Sequence, residues 1–433
     1  MEGWNGPLVL SVVVFGLTYL GILLDKIHRT LVALLGAVAM VCVGTWAQFY
    51  PSTGAIESID YNTIFLLFGM MVLVSLFKET GFFESVAIRA ARITGGRPWL
   101  LFLSLGLATT FISMILDNVT TIILMIPVTM SIADIVGVSM IPFLIGEVML
   151  SNIGGVATLV GDPPNILIGT AAGFSFLDFL VHLAPIVLLV WILAQAILLL
   201  SFRRVLFSAP ARAARLRAMD PNDALTDPRS ARRLMIVLAA TVLLFFVHEL
   251  IGLDSGIVAL IGASAGLLWL WPDIRPVLQE VHWDVLIFFL GLFVIVGGLE
   301  SAGALDIVAH AMSLLTTHGI ALAALVVLWI AGVMSAVVDN VPFTIAMLPV
   351  LAALSARDVA TAPLWWALAL GVGFGGNATP VGATANVIAL SASETAGSRI
   401  GTKLWLKHGI PIAVASCGLA SLLLIAAIEL NLF

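Results

Sequence analysis

Charge is scarce in this chain. Of its 433 residues only 10% are Asp, Glu, Lys or Arg, against roughly 25% in a soluble domain, so water cannot be its main solvent. Cysteine is nearly absent as well. Cys42 and Cys417 are the only two and both lie in apolar runs, which excludes a disulfide framework and a tetrahedral thiolate metal site and leaves them as packing residues. Neither a P-loop nor HExxH occurs. "GASAG" from Gly262 and "GVGFGG" from Gly371 match a nucleophile elbow and a dinucleotide turn in spelling alone, because each sits in an apolar helix with no strand before it; they read as close-packing small residues. Nucleotide hydrolysis, zinc chemistry and serine-based catalysis are thus excluded. The chain reads as a non-enzyme with no cofactor and no nucleic-acid partner.

Apolar residues make up 61% of the chain, and they fall in runs that approach the roughly 20 residues needed to cross the hydrocarbon layer as a helix. The fold class that follows is an all-α polytopic membrane protein embedded in the lipid bilayer. Crossings are expected near 7–24, 30–49, 63–78, 176–201, 234–251, 256–271, 284–300 and 409–431, with broken crossings at 141–172 and 363–392. Two stretches with polar centres, 98–133 and 318–352, read as re-entrant hairpins. Basic residues near helix ends favour the cytoplasm. The central segment 201–233 carries eight arginines and three aspartates, and setting it inside puts 18 of the 19 basic residues inside, Arg29 and Lys78 among them, with Arg357 the exception. The expected location is the inner (plasma) membrane, with both termini outside.

The halves are copies. "DNVTTIILMIPV" from Asp117 aligns with "DNVPFTIAMLPV" from Asp339, and "GGVATLVGDPPNILIG" from Gly154 aligns with "GGNATPVGATANVIAL" from Gly375. Fainter echoes pair "VALLGA" from Val32 with "VALIGA" from Val258, Gly69 with Gly291, and His182 with His408. The organisation is a first repeat over 1–201, an arginine-rich cytoplasmic linker over 202–233 and a second repeat over 234–433. Five crossings per repeat, an odd number, turn the second copy upside down. Inverted repeats with broken helices in corresponding places point to a secondary transporter whose site lies between the halves.

Glycine and proline in the middle of a span free backbone groups that are tolerated only against protein or a cavity, so the two Gly-rich stretches are expected to unwind and present backbone dipoles to a ligand. Asp117 and Asp339 sit at the hairpin apices beside Asn118 and Asn340. An aspartate at membrane depth faces a cavity and binds a cation or a proton, which makes both the first choice for ion coupling, a role compatible with capping the half-helix after each. Asp162, whose repeat partner is Ala383, and Glu147 are further coupling candidates. Thr120, Thr121, Thr158, Asn165, Asn377, Thr379, Thr384 and Asn386 join Asn118 and Asn340 as the expected neutral lining of a substrate site. His182 and His408 read as interfacial anchors. No group of metal ligands is expected.

"LDNVTTIILMIPV", "GDPPN" and "GGNATPVGATAN" resemble the ArsB/NhaD branch of the ion transporter superfamily over nearly the full length. That branch includes arsenite and antimonite permeases, NhaD-type sodium/proton antiporters and the melanosomal P protein. The resemblance implies a homodimer with a scaffold part and a moving transport part, and alternating access by an elevator-like movement. The leading expectation is proton-coupled export of arsenite or antimonite, a small inorganic substrate whose neutral hydroxylated form suits the Asn and Thr lining. Sodium/proton exchange is the alternative. Dicarboxylate carriage ranks third, since no Lys or Arg lies within the motifs to neutralise substrate carboxylates. A cytoplasmic ATPase partner on the arginine-rich linker is left open.

Overall fold

A chain this apolar satisfies its backbone within each segment by coiling into helices, and the computed structural model, which describes residues 6–24, 26–207, 220–355 and 361–432, is helical in every regular element. The first half runs α1 (Gly6–Leu24), α2 (Arg29–Trp46), α3 (Ser52–Glu57), α4 (Tyr61–Lys78), α5 (Phe82–Ile93), α6 (Pro98–Ile115), α7 (Asn118–Val136), α8 (Ile141–Gly155), α9 (Pro163–Ala172), α10 (Phe176–His182), α11 (Ala184–Ser201) and α12 (Arg203–Leu206). The second runs α13 (Pro228–Val247), α14 (Ser255–Leu270), α15 (Ile274–Gln279), α16 (Trp283–Ser301), α17 (Ala304–Thr316), α18 (Ile320–Val337), α19 (Asn340–Ser355), α20 (Ala362–Gly375), α21 (Thr384–Thr395) and α22 (Thr402–Glu429). Among the described residues nine helices are long and apolar enough to cross a membrane. Residues 208–219 of the arginine-rich linker, and Arg357, lie outside the described residues.

The repeat is visible in packing. A Cβ on Gly36 would meet Thr18 Oγ1 at 2.3 Å, and a Cβ on Gly262 would meet Thr241 Oγ1 at the same distance; these are one contact seen twice, α1 on α2 and α13 on α14. Gly291 lies against the Ala33 backbone as Gly69 lies against that of Ala259, so the fourth helix of each half packs on the second helix of the other. In α6 and α8 the pairs Phe102/Gly146, Leu150/Gly106 and Thr110/Gly154 advance together. The two helices therefore run parallel, as they must if α7 returns the chain to the side from which α6 set out. Leu328/Gly371 and Gly332/Gly375 repeat the arrangement in α18 and α20. At the centre, Asn377 donates to Met149 O while Gly373 packs on Val156. The order is reversed, so the equivalent helices α8 and α20 are antiparallel, the signature of an inverted repeat. Pro142–Gly155 and Pro363–Gly375 are buried throughout, and these two helices are the core.

Several expectations need correction. The segment expected as one crossing over 176–201 is split between α10 and α11, with α9 and α10 bent by 109°, whereas its counterpart α22 is one helix of 28 residues carrying Pro411 inside. The helices α5 and α17 were not foreseen; each follows a left-handed glycine, Gly81 (φ 68°) and Gly303 (φ 74°), where only a residue without Cβ is unstrained. His408 is 5% exposed and packs on Phe202 and Ser201 Oγ, which removes it from an anchoring role.

Candidate functional site

The two breaks are built the same way. Between α8 and α9 the chain leaves helical geometry over 156–162, and between α20 and α21 a short 3₁₀ turn, Gly376–Ala378, precedes an irregular stretch. A Cβ on Gly161 would sit 2.5 Å from Gly155 O and 2.7 Å from Ser113 O; on Gly382 it would sit 2.5 Å from Gly376 O and 2.8 Å from Ser335 O. Backbone approaches this close require glycine. Asn165 Nδ2 then donates to the carbonyls of Gly155, Val156 and Thr158, and Asn386 Nδ2 to those of Gly376 and Thr379. Thr158 and Thr379 donate from Oγ1 to Met114 O and Ala336 O, pinning each break to the facing hairpin near its apex. Thr158, Asn165, Thr379 and Asn386, expected to line the substrate site, thus spend their donors on backbone that unwinding exposed. Asn377 also lies outside the chamber lining, bridging Asn152 Nδ2 and Met149 O.

The helices α7, α9, α19 and α21 all begin around one small cavity of about 40 Å³ lined by Arg29, Asp117, Asn118, Asp162, Asp339 and Thr384 among others. Four helix N-termini carry roughly half a positive charge each, and their convergence favours an anion. Asp117 caps α7, accepting from the Thr120 N–H at 2.8 Å and from its hydroxyl. Asp339 faces Arg29, whose Nη1 donates to Asp339 Oδ2 at 2.7 Å and to Thr384 Oγ1 at 2.8 Å. The guanidinium also lies 5.5 Å from the Phe288 ring centroid, a cation–π distance. Asp162, 1% exposed, accepts from Asn340 Nδ2 at 3.2 and 3.3 Å and from Asn118 Nδ2 at 3.4 Å. One carboxylate thereby spans both apices. Asn118 also donates to Asn152 Oδ1, and Asn152 in turn to Asn377 and Asn386, so the chamber continues into a polar seam between the halves.

Thr121 is fully buried away from the cavity and Glu147 is 2% exposed. Glu147 accepts from Thr129 Oγ1 at 2.6 Å while its Oε2 has no partner, and it does not border the chamber. Among the described residues no group of His, Cys, Asp or Glu could hold a metal ion.

Sequence reasoning overlooked Arg29, which was counted as an orientation signal. Its position at the start of α2 brings it to the apex of α19, more than 300 residues away along the chain. The available signal was the repeat: beside the shared "VAL(L/I)GA" motif, Arg29 stands where the second half has Ser255. Asn152 was overlooked too, and its repeat partner is Gly373.

Against known proteins, residues 19–371 match the CitMHS family, described as citrate transporter. The chain belongs to the CitMHS family. It is 38% identical over 96% of its length to the 46 kDa membrane protein of Mycobacterium leprae, covering 98% of that protein. An uncharacterized transporter of Mycobacterium tuberculosis is 37% identical, over 96% of this chain and 97% of the relative. The human P protein is 31% identical over 94% of this chain but 58% of its own length. The fold resembles the crystal structure of the Alcanivorax borkumensis YdaH transporter, with TM-score 0.61 at 14% identity and 99% of both chains covered. This CitMHS protein is a multi-pass membrane transporter and not an enzyme, in keeping with those relatives.

Family membership corrects the narrower resemblance. The ArsB/NhaD assignment gives way to a citrate transporter family within the wider superfamily, and with it fall arsenite and antimonite as substrates, arsenical resistance as a role and a small inorganic partner. The premise that ranked carboxylates third fails for a physical reason: the missing cation comes from Arg29, outside the motifs but inside the chamber.

Proposed function

We propose that this CitMHS protein is a secondary carrier of organic di- and tricarboxylates, citrate among them, working by alternating access. The observation that carries the reading is Arg29 held against Asp339 and Thr384 at the meeting point of four helix N-termini. A guanidinium presents a fork of donors matched to carboxylate geometry. The cavity measures only about 40 Å³, so the substrate enters as the Arg29 side chain swings off Asp339 Oδ2, and it takes over the place of the Asp339 carboxylate.

Charge balance requires a co-transported cation. Asp117, Asp162 and Asp339 face the chamber with one arginine, and two like charges about 4 Å apart repel by about 4 kcal/mol at an effective dielectric near 20. A polycarboxylate therefore binds with protons or cations on these aspartates. Asp162 is the first choice, because only it has both apices as partners. The Lys and Arg distribution supports an orientation with both termini outside.

The test is uptake of labelled citrate and succinate into proteoliposomes under an imposed pH gradient. Citrate flux that rises with the gradient, and a KM about tenfold or more higher in Arg29→Gln from loss of a charge-assisted hydrogen bond, are expected. Flux of neither anion above protein-free vesicles would refute the reading.

A further inference from the structure

The chain packs as two bodies. One is a frame, in which α2 lies on α16 and α4 on α14; the other is a core of α6–α9 and α18–α21 carrying both breaks and both apices. Each body obeys the repeat internally. The joint between them does not. In the frame, Asn62 Oδ1 accepts from the Gly256 N–H and its Nδ2 donates to Ser255 Oγ at 3.2 Å and to Thr170 Oγ1 of α9 at 3.1 Å. The equivalent frame corner consists of Asp284 and Arg29, tied by Thr30 Oγ1 to Asp284 O at 2.9 Å. That corner touches Thr384 and Asp339, whose repeat counterparts are Pro163 and Asp117, and Thr170 lies two turns further along α9 than Pro163.

Equivalent corners thus touch the core at registers seven residues apart, roughly 10 Å at 1.5 Å per residue, part of which the long Arg29 side chain spans. A symmetric core in a symmetric frame can be joined off-centre in two mirror-related ways, and this structure holds one of them. The clefts agree. A cavity of about 310 Å³ opens beside Asp60, Phe293, Glu300 and Ile345, while the cleft at their counterparts His282, Met71, Lys78 and Ile123 has closed to about 40 Å³.

We propose that Arg29 is a stationary counter-charge, fixed to the frame, which the moving core meets at only one end of its stroke, so that the carboxylate substrate is gripped facing one side of the membrane and released facing the other. This deepens the carrier reading and rests on it. Arg29 begins a frame helix and stacks on Phe288, also a frame residue. In the mirror placement Asp117 and Pro163 come to Ser255, which carries no charge. The neighbours there are Asp60, Asp254 and Glu300, at the positions that His282, His28 and Lys78 hold at the Arg29 end, where Lys78 is itself paired with Glu280. Electrostatics at the far end therefore favours letting an anion go.

Paired cysteines test this in a background lacking Cys42 and Cys417. Asn62→Cys with Thr170→Cys should cross-link the placement described, and Asp284→Cys with Ser391→Cys the mirror placement, neither pair removing Arg29. We expect both cross-links to form in membranes and to exclude one another. Labelled citrate should bind the first locked form at least tenfold more tightly than the second, and adding Arg29→Gln should abolish that difference by weakening the first. Failure of the second pair to cross-link while the first does, or equal citrate affinity of the two locked forms with Arg29 intact, would overturn the proposal. Both cross-links forming in a protein that binds no carboxylate in either form would overturn the anion reading and the grip with it, while leaving the stroke standing.

Discussion

At the apex joining α6 and α7, Asp117 caps the helix it precedes, accepting the Thr120 N–H and hydroxyl; at the equivalent apex joining α18 and α19, Asp339 keeps one long contact to its own helix, from the Val341 N–H to Oδ1 at 3.4 Å, and turns Oδ2 to Arg29 and Thr384. The same division recurs nearby. Asp162 faces the chamber where the second half has Ala383, and Asn152 donates to Asn377 where the mirrored contact is Gly373 against Val156. Backbone-tying residues, by contrast, come in matched pairs: Thr158 with Thr379, Asn165 with Asn386, and Ser113 with Ser335, the members of each pair donating to carbonyls at repeat-equivalent positions. The lesson is that the frame of the site obeys the two-fold and its charges do not. One scaffold can present two faces in turn because its halves match, and can treat an anion differently on those faces because its charges differ.

The harshest way to break that comparison is to make the first half resemble the second at its break. Asp162→Ala copies Ala383 and takes the buried acceptor from the amide of Asn340, while that of Asn118 keeps Asn152 Oδ1. At about 1–3 kcal/mol for one unsatisfied group, thermal unfolding in detergent should show a loss of that size, and transport should vanish. Asp162→Asn retains an acceptor, so the protein should stay folded while citrate flux ceases to respond to the pH gradient. Gradient-driven flux at the wild-type level in Asp162→Asn would remove this carboxylate from coupling.

A milder change probes the polar and apolar versions of the central crossing. A Cβ on Gly373 would meet Val156 Cγ2 at 2.1 Å, so Gly373→Ala overpacks the seam at a cost of about 1–3 kcal/mol. Val156→Ala in the same chain should recover most of the lost melting temperature. Lack of rescue would mean that the halves do not meet through this pair. At the equivalent position Asn152→Ala should not respond to Val156→Ala, because its loss is of hydrogen bonds to Asn377 and Asn386 and not of space.

What could be read in the sequence follows the same line between frame and charge. Hydrophobic run length, the two Gly-rich stretches and the paired DN motifs foretold the all-α bundle, the inverted repeat and the breaks, because lipid allows few alternatives for exposed backbone. Side-chain direction was not legible. Asn165 and Asn386 read as substrate ligands, yet local carbonyls freed by the break claim them, a competition that spacing does not reveal. Arg29 lies outside every motif and enters the site through packing between helices distant in the chain. Its absence from the motifs, taken as absence from the site, tilted the substrate reading toward a neutral oxyacid.

The smallest expected effect discriminates most finely between the two apices. Asn caps a helix about as well as Asp, so Asp117→Asn should leave both KM and turnover within about threefold of the parent. Asp339→Asn removes the group that competes with substrate for the guanidinium, so of the two changes it should have the larger effect, and one with a definite direction. With Asp339 neutral, Arg29 binds the incoming carboxylate without displacing a counter-ion, so KM should fall, and release should slow because no carboxylate returns to take the arginine. Arg29 is 25% exposed, which discounts the pair for screening, and a charge-assisted bond of about 1.5–3 kcal/mol so discounted corresponds to roughly a tenfold shift. Initial-rate kinetics of citrate uptake for the two variants side by side would decide it. A rise in KM for Asp339→Asn would mean that Asp339 holds the guanidinium in place for the substrate instead of competing with it, and an equal response of the two variants would mean that the apices are as alike in charge as they are in fold.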